Sequence, residues 1–149
     1  MGRVEIEAAN PNDHAFLAEM VALSFRSLPH LASKSNLEIE TMARLEVAGW
    51  EPGRDLAFIA QANHQRVGAI WLRADGELSA QHFVLSLAVA QAFQHRGVGT
   101  KLIEYVLDYC KRNGGVSMGL KVYPGNLPAM RLYRRFGFED VTLELRKKL

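Results

Sequence analysis

The stretch LSLAVAQAFQHRGVGTKLIEYVL, from Leu85 to Leu107, constrains this chain more than any other. An apolar run meets a polar turn, and Gly97 and Gly99 then stand where an amphipathic helix begins. Glycine inside a helix costs about 1 kcal/mol relative to alanine, so two of them at a helix start need a reason. A strand, a glycine turn and a helix N-terminus together make an anion-binding geometry. Unpaired backbone N–H groups point outward, the helix dipole favours negative charge, and a missing Cβ lets the anion reach the backbone. Arg96 and His95 add positive charge beside the turn. A phosphate or pyrophosphate is the expected occupant; the competing reading is that the glycines only let strand and helix pack closely. Two common phosphate loops are excluded. The dinucleotide fingerprint needs a third glycine, where Leu102 stands, and an acidic residue roughly 20 positions on, which VSMGLKVY lacks. The P-loop needs Gly-Lys followed by Ser or Thr, and here the order is Gly99-Thr100-Lys101.

The 149 residues fit one domain spanning 1–149. With 48% hydrophobic and 23% charged residues the composition is that of an ordinary globular protein. A net charge of +2 is too small to argue for nucleic acid or an acidic membrane, and the basic tail Arg146, Lys147, Lys148 reads as a solvated terminus. Cys110 is the single cysteine, which excludes an intrachain disulfide and suggests a reducing, cytoplasmic setting. It falls on the apolar face of a helix, as buried filler does. The opening MGRVEIE has no apolar signal region, and Ile6 breaks the myristoylation pattern. The apolar stretch FVLSLAVA is too short to span a bilayer. His14, His30, His64, His82 and His95 show no metal-ligand spacing, so no metal is expected.

Periodicity and punctuation give the order β-α-α-β-β-β-α-β-α-β, a mixed α/β layer architecture. VEIEA alternates as a strand. Asn10 caps and Pro11 starts a helix running to about Phe25. Ser35 and Glu38 form a capping box for a second helix, stopped by Gly49. DLAFIAQA and RVGAIWLRA read as a hairpin turning at Asn63, His64 and Gln65. HFVLSLAVA is a fourth strand, followed by a helix from Gly97 to Arg112 that buries Val98, Leu102, Ile103, Val106, Leu107 and Cys110. VSMGLKVY is a strand, Asn126 caps a helix to Phe136, Gly137 ends it, and FEDVTLELRKK closes the chain as one or two strands.

Gln94-His95-Arg96-Gly97-Val98-Gly99 resembles the Gln/Arg-x-x-Gly-x-Gly/Ala signature of the GNAT superfamily of N-acetyltransferases. LAV, Leu87 to Val89, resembles the end of that family's fourth strand. NLPAMRLYRRFGF, Asn126 to Phe138, resembles its second motif, an Asn followed by a helix carrying Leu-Tyr and ending in Gly-Phe. The motifs stand in the family's order, and the resemblance covers nearly the whole chain. It implies a mostly antiparallel central sheet flanked by helices, and acetyl-CoA as co-substrate. The pyrophosphate would sit on the backbone amides from Gln94 through Thr100, including His95, Arg96, Gly97, Val98 and Gly99. The pantetheine arm would pair along Leu87 to Val89, and the Leu87 N–H would steady the oxyanion. Strands four and five would splay to leave room for the thioester. Tyr133 matches the tyrosine that protonates the departing thiolate, and Asn126 a frequent cofactor contact compatible with capping. Arg134 is a further candidate for the phosphates.

Two departures stand out. Many members carry a Glu or His base on the fourth strand. Here Phe83 and Leu85 hold such positions, and regular alternation would put them on one face with Leu87 and Val89, with His82 and Ser86 opposite. The proton of the amine would then leave through water, through a Glu such as Glu77 or Glu104, or from an amine of low pKa. The ending after Gly137-Phe138 is also short, so the last strand is single or pairs with a second chain, as in a homodimer. Acceptor recognition would fall between Leu23 and Gly49, where His30 reads as a solvated loop residue. The leading expectation is transfer of acetyl from acetyl-CoA to a small-molecule or peptide amine by direct attack in a ternary complex. The alternative is a non-catalytic acyl-CoA-binding sensor of the same fold, and a third reading is an unusual nucleotide-binding loop.

Overall fold

The computed structural model describes residues 2–75 and 81–149. Strands β1 (Glu5–Ala8), β2 (Asp55–Ala62), β3 (Gln65–Asp75), β4 (Gln81–Val89) and β5 (Ser117–Leu120) form one sheet in sequence order. Neighbours are antiparallel except β4 and β5, which are parallel. The parallel pair is joined by a helical crossover, α3 (Val98–Arg112), as such a pair requires. The mostly antiparallel sheet that the family resemblance implies is therefore present.

Helices α1 (His14–Arg26) and α2 (Asn36–Ala48) cover one face. They share a core with Ala57, Ile59, Ala69, Trp71 and Ala88. Helices α3 and α4 (Leu127–Arg135) cover the other, over Phe58, Ala60, Val67, Ile70 and Leu72. Alternation along β2, and along β3 from Gly68 onward, sends successive side chains into the two cores, while a bulge at Val67 turns it to the same side as Ile70.

The local signals act as the sequence implies. Asn10 and Asp13 close a capping box around a short 3₁₀ turn, after which α1 begins. The Ser35 hydroxyl accepts the Glu38 amide at 3.1 Å. The β2–β3 hairpin turns on two residues, Asn63 and His64, both at positive φ (52° and 63°), as the tight turn matching strand twist demands. On α3, Val98, Leu102, Ile103, Val106 and Cys110 are fully buried, while Leu107 is only partly so. Burial pushes the Cys110 thiol up, away from the reactive thiolate.

Two strand expectations are corrected. VSMGLKVY is a strand only over Ser117–Leu120, because pairing with β4 ends at Val84 opposite Leu120. The closing FEDVTLELRKK forms no strand: Val141, Leu143 and Leu145 alternate with polar residues but lie exposed. A strand needs an edge to pair with, and an alternating pattern alone cannot supply one.

Candidate acetyl-CoA site

Three pieces meet on the α3/α4 face, beginning with the outer edge of β4. The Ala90 amide donates to the Val67 carbonyl at 2.8 Å, so Ala90 and Ala88 turn their backbone groups toward β3. Alternation then turns the N–H groups of Leu87 and Val89 to the opposite edge. The Gln94 side-chain amide confirms this by donating to the Val89 carbonyl there, at 3.0 Å. With β5 paired only to Gln81–Val84, the edge from Leu85 to Val89 has no strand beside it among the described residues. The two strands part beyond Val84 and Leu120, in keeping with the splay that the family resemblance implies.

The second piece is the turn into α3. Gln94 is extended, His95 is left-handed (φ 64°), and Gly97 is left-handed again (φ 83°) as the residue before the first helical turn. Such alternation of hand gathers successive amides into a concavity suited to an anion. A Cβ on Gly97 would meet nothing within 4 Å, so its backbone angle and not crowding requires glycine. A Cβ on Gly99 would lie at ordinary contact distance, 3.7 Å from Leu132 and 4.0 Å from Val89. Close strand-to-helix packing is therefore not what either glycine serves. That role falls to Gly68 on β3, where a Cβ would come within 3.0 Å of the Ala88 carbonyl oxygen and 3.3 Å of Val98.

The third piece is α4. The Asn126 side chain caps it by accepting the Ala129 amide at 3.3 Å. Its end is a Schellman motif: the Phe138 amide donates to the Tyr133 carbonyl (3.1 Å) and the Gly137 amide to the Arg134 carbonyl (3.0 Å), with Gly137 at φ 86°. The hydrophobic contact of that motif is the Phe138 ring set edge-on to Tyr133, centroids 5.6 Å apart. The Gly-Phe of the sequence motif thus locks the helix turn carrying Tyr133. Burial pushes the Tyr133 phenol up to about 12, so it stands protonated among the residues of the α3/α4 core.

Two assignments change. Arg134, a candidate for phosphate, is engaged with Asp140 at 2.7 Å. Its neighbour Arg135 instead donates to the Thr100 hydroxyl at 2.8 Å, bringing a guanidinium to the first turn of α3. Helical spacing carries the signal, since Arg135 lies three residues after Leu132, which touches Gly99. Phe83 does not share a face with Leu87 and Val89. Ser86 stands opposite Trp71 and Val84 opposite Leu72, so Leu85 is an extra, bulged residue that resets the alternation. Val84, Leu87 and Val89 pack on the α3/α4 side, while the Ser86 hydroxyl meets Ser24 of α1 at 3.3 Å. Phe83 lies over Gly119, and Leu85 is 42% exposed at the mouth of the gap. His82 goes with Val84, its Nδ1 buried and without a hydrogen-bond partner among the described residues. Glu77 lies outside the described residues, and Glu104 is exposed on α3. His30 is exposed, as expected of a loop residue, and its Nδ1 lies 2.6 Å from the Tyr123 hydroxyl.

Residues 9–138 match the family described as the acetyltransferase (GNAT) family. The chain belongs to that family. Among curated relatives, N-alpha-acetyltransferase 50 of Danio rerio is 31% identical over 58% of this chain and 53% of its own length. N-alpha-acetyltransferase 30 of Schizosaccharomyces pombe is 26% identical over 86% of this chain and 81% of its own. The chain thus spans about half the length of the first and most of the second. Among solved structures, the PaiA N-acetyltransferase of Thermoplasma acidophilum in complex with coenzyme A superposes with a TM-score of 0.76 at 20% identity, covering 95% of this chain and 93% of that one. Among the described residues no helix is long and apolar enough to cross a membrane.

Proposed function

We propose that this chain transfers the acetyl group of acetyl-CoA to a primary amine, by direct attack within a ternary complex. The observation that carries the reading is the edge of β4 from Leu85 to Val89, left without a paired strand among the described residues and followed directly by the left-handed turn at His95 and Gly97. An unpaired edge offers backbone hydrogen bonds to an extended amide chain, as the pantetheine arm is. The concavity from Gln94 to Thr100 takes the pyrophosphate, with Arg135 beside it. The outward N–H of Leu87 then polarises the thioester carbonyl and holds the oxyanion of the tetrahedral intermediate.

As the C–S bond breaks, charge collects on sulfur. A free thiol has a pKa of about 8.5, well below a phenol raised to about 12. Complete transfer from Tyr133 would be uphill in open water. A thiolate shielded from water by the protein is raised as well, so the Tyr133 O–H meets it as a hydrogen-bond donor and proton source as charge develops. A sensor that only binds acyl-CoA has no use for a phenol held protonated beside the thioester, and the partly buried Tyr133 on α4 supports the enzyme.

Calorimetric titration with acetyl-CoA, CoA, ATP and NAD, on the wild type and on Gly99→Asp, tests the reading. Binding of both CoA species and its loss in the variant are expected, since a carboxylate at Gly99 repels the pyrophosphate from a position with room for the side chain. Release of CoA thiol with a panel of amines then tests turnover, the panel running from peptide α-amines and lysine to polyamines and aminoglycosides. Binding of neither CoA species sinks the reading.

A further inference from the structure

The apolar residues of β4 leave the acceptor's proton without a recipient, and the α1/α2 face of the gap supplies one. The Ser24–Ser86 contact seats the last turn of α1 against β4, within the stretch that has lost β5. The chain leaving α1 passes through a 3₁₀ turn, Pro29–Leu31, pinned by the buried Leu31. His30 projects from that turn. On the other side, β5 ends at Leu120 and the chain runs on to α4 without regular secondary structure. Gly119 of β5 lies under Phe83, and Tyr123 stands four residues further on, past the end of the strand. The Tyr123 hydroxyl and His30 Nδ1 meet at 2.6 Å, with ring centroids 6.1 Å apart. This solvent-exposed bond joins the α1–α2 loop to the β5–α4 segment.

We infer that the His30–Tyr123 pair takes the proton from the acceptor amine at the α1/α2 mouth of the strand gap. The inference rests on the acetyl-transfer reading above. An ammonium has no lone pair, so its N–H bond must break before it can attack. The proton passes to the imidazole, either directly on Nε2 or through the Tyr123 oxygen onto Nδ1, and the imidazolium later returns it to solvent. The freed lone pair forms the N–C bond as the C–S bond breaks, and the second nitrogen proton balances the one that Tyr133 gives to sulfur. The two aromatic hydroxyls thus serve opposite ends of one reaction. Two elements distant in sequence meet in this bond, so neither residue carries a motif.

The test uses the full chain with two probe amines, phenethylamine and trifluoroethylamine; the second is largely unprotonated at neutral pH and needs no base to shed its first proton. CoA release from acetyl-CoA is followed for wild type, His30→Gln and Tyr123→Phe, with acetyl-CoA affinity measured by calorimetry on each. The expected result is a fall in kcat of about 100-fold or more for phenethylamine in His30→Gln, a smaller fall in Tyr123→Phe, little change for trifluoroethylamine, and unchanged acetyl-CoA binding. Equal losses with both amines make the bond a positioning device and overturn the inference, as does wild-type activity in His30→Gln. Acetyl-CoA binding in a wild type that releases CoA with neither amine also overturns the base assignment. Failure to bind acetyl-CoA at all overturns instead the reading beneath it.

Discussion

The two faces of the sheet are built differently. On the α1/α2 face, the core is tied down by polar groups. Asp55 has no exposed side-chain surface, yet it accepts from the Glu51 amide, from Arg54, from Arg73 and from the Trp71 indole. On the α3/α4 face the packing is apolar and aromatic, with Phe58 set against Tyr105 and Tyr109, and the polar groups gather at the rim near Gly97, Thr100 and Arg135. One face spends its buried polarity on holding the fold. The other leaves the edge of β4 from Leu85 to Val89 without a paired strand among the described residues, the freedom that the proposed binding uses. Damage to the first is therefore expected to appear in stability, and damage to the second in ligand affinity and turnover.

The strongest test of that division is Asp55→Asn. Breaking a buried ion-paired network by neutralising its centre costs about 3–5 kcal/mol, read as a lowered midpoint in urea, with acetyl-CoA affinity intact in the folded fraction. Burial alone would raise the Asp55 carboxyl, but the Glu51 amide, Arg73, Arg54 and Trp71 together hold it below the ordinary 3.8. A lowered folded pKa means stabilisation present above that ordinary value and lost as pH falls through the lowered one. Wild type should therefore lose stability in strong acid, and Asp55→Asn should be less sensitive there.

On the opposite face, Tyr133→Phe removes only a hydroxyl. Its kcat is expected to drop about 100-fold, with acetyl-CoA affinity and melting temperature near wild type. A large loss of stability would break the comparison by showing that the phenol holds the core.

Gly68→Ala probes the seam between the faces. Its Cβ would press on the Ala88 carbonyl, Val98 and Leu102, and such overpacking costs about 1–3 kcal/mol. Because Val98 opens α3, the amide concavity should shift with it, and acetyl-CoA affinity should fall alongside stability. Stability loss without affinity loss would show the concavity to be independent of the strand beneath it.

The smallest effect is alkaline. The Tyr133 phenol is raised by burial from 10.0 to about 12. A raised folded pKa gives stabilisation that is full below the unfolded value and lost as pH rises through the folded one. Between about pH 10 and 12 the wild type should weaken, and Tyr133→Phe should lack that component, which comparing urea midpoints across that range would reveal.

Most of the fold was legible in the chain because its signals are local. Asn10 with Asp13, Ser35 with Glu38, and Gly137 with Phe138 end helices through bonds spanning a few residues, and the α3 stripe follows from a 3.6-residue period. The glycine turn was legible for the same reason, since Gly97 answers to its own backbone angle.

The sequence by itself determined the helices, the first four strands, the turn into α3 and the place of Tyr133 on its helix. Tertiary structure decided which half of β4 has a neighbour, that Leu85 bulges and sends Phe83 to the other face, that Arg135 and not Arg134 reaches α3, and that His30 meets Tyr123. The physical reason is range. Caps and periodic faces are settled within one or two helical turns. A strand's partner, a bulge's register and a bond between residues 93 positions apart depend on chain segments that meet only when the whole sheet has closed.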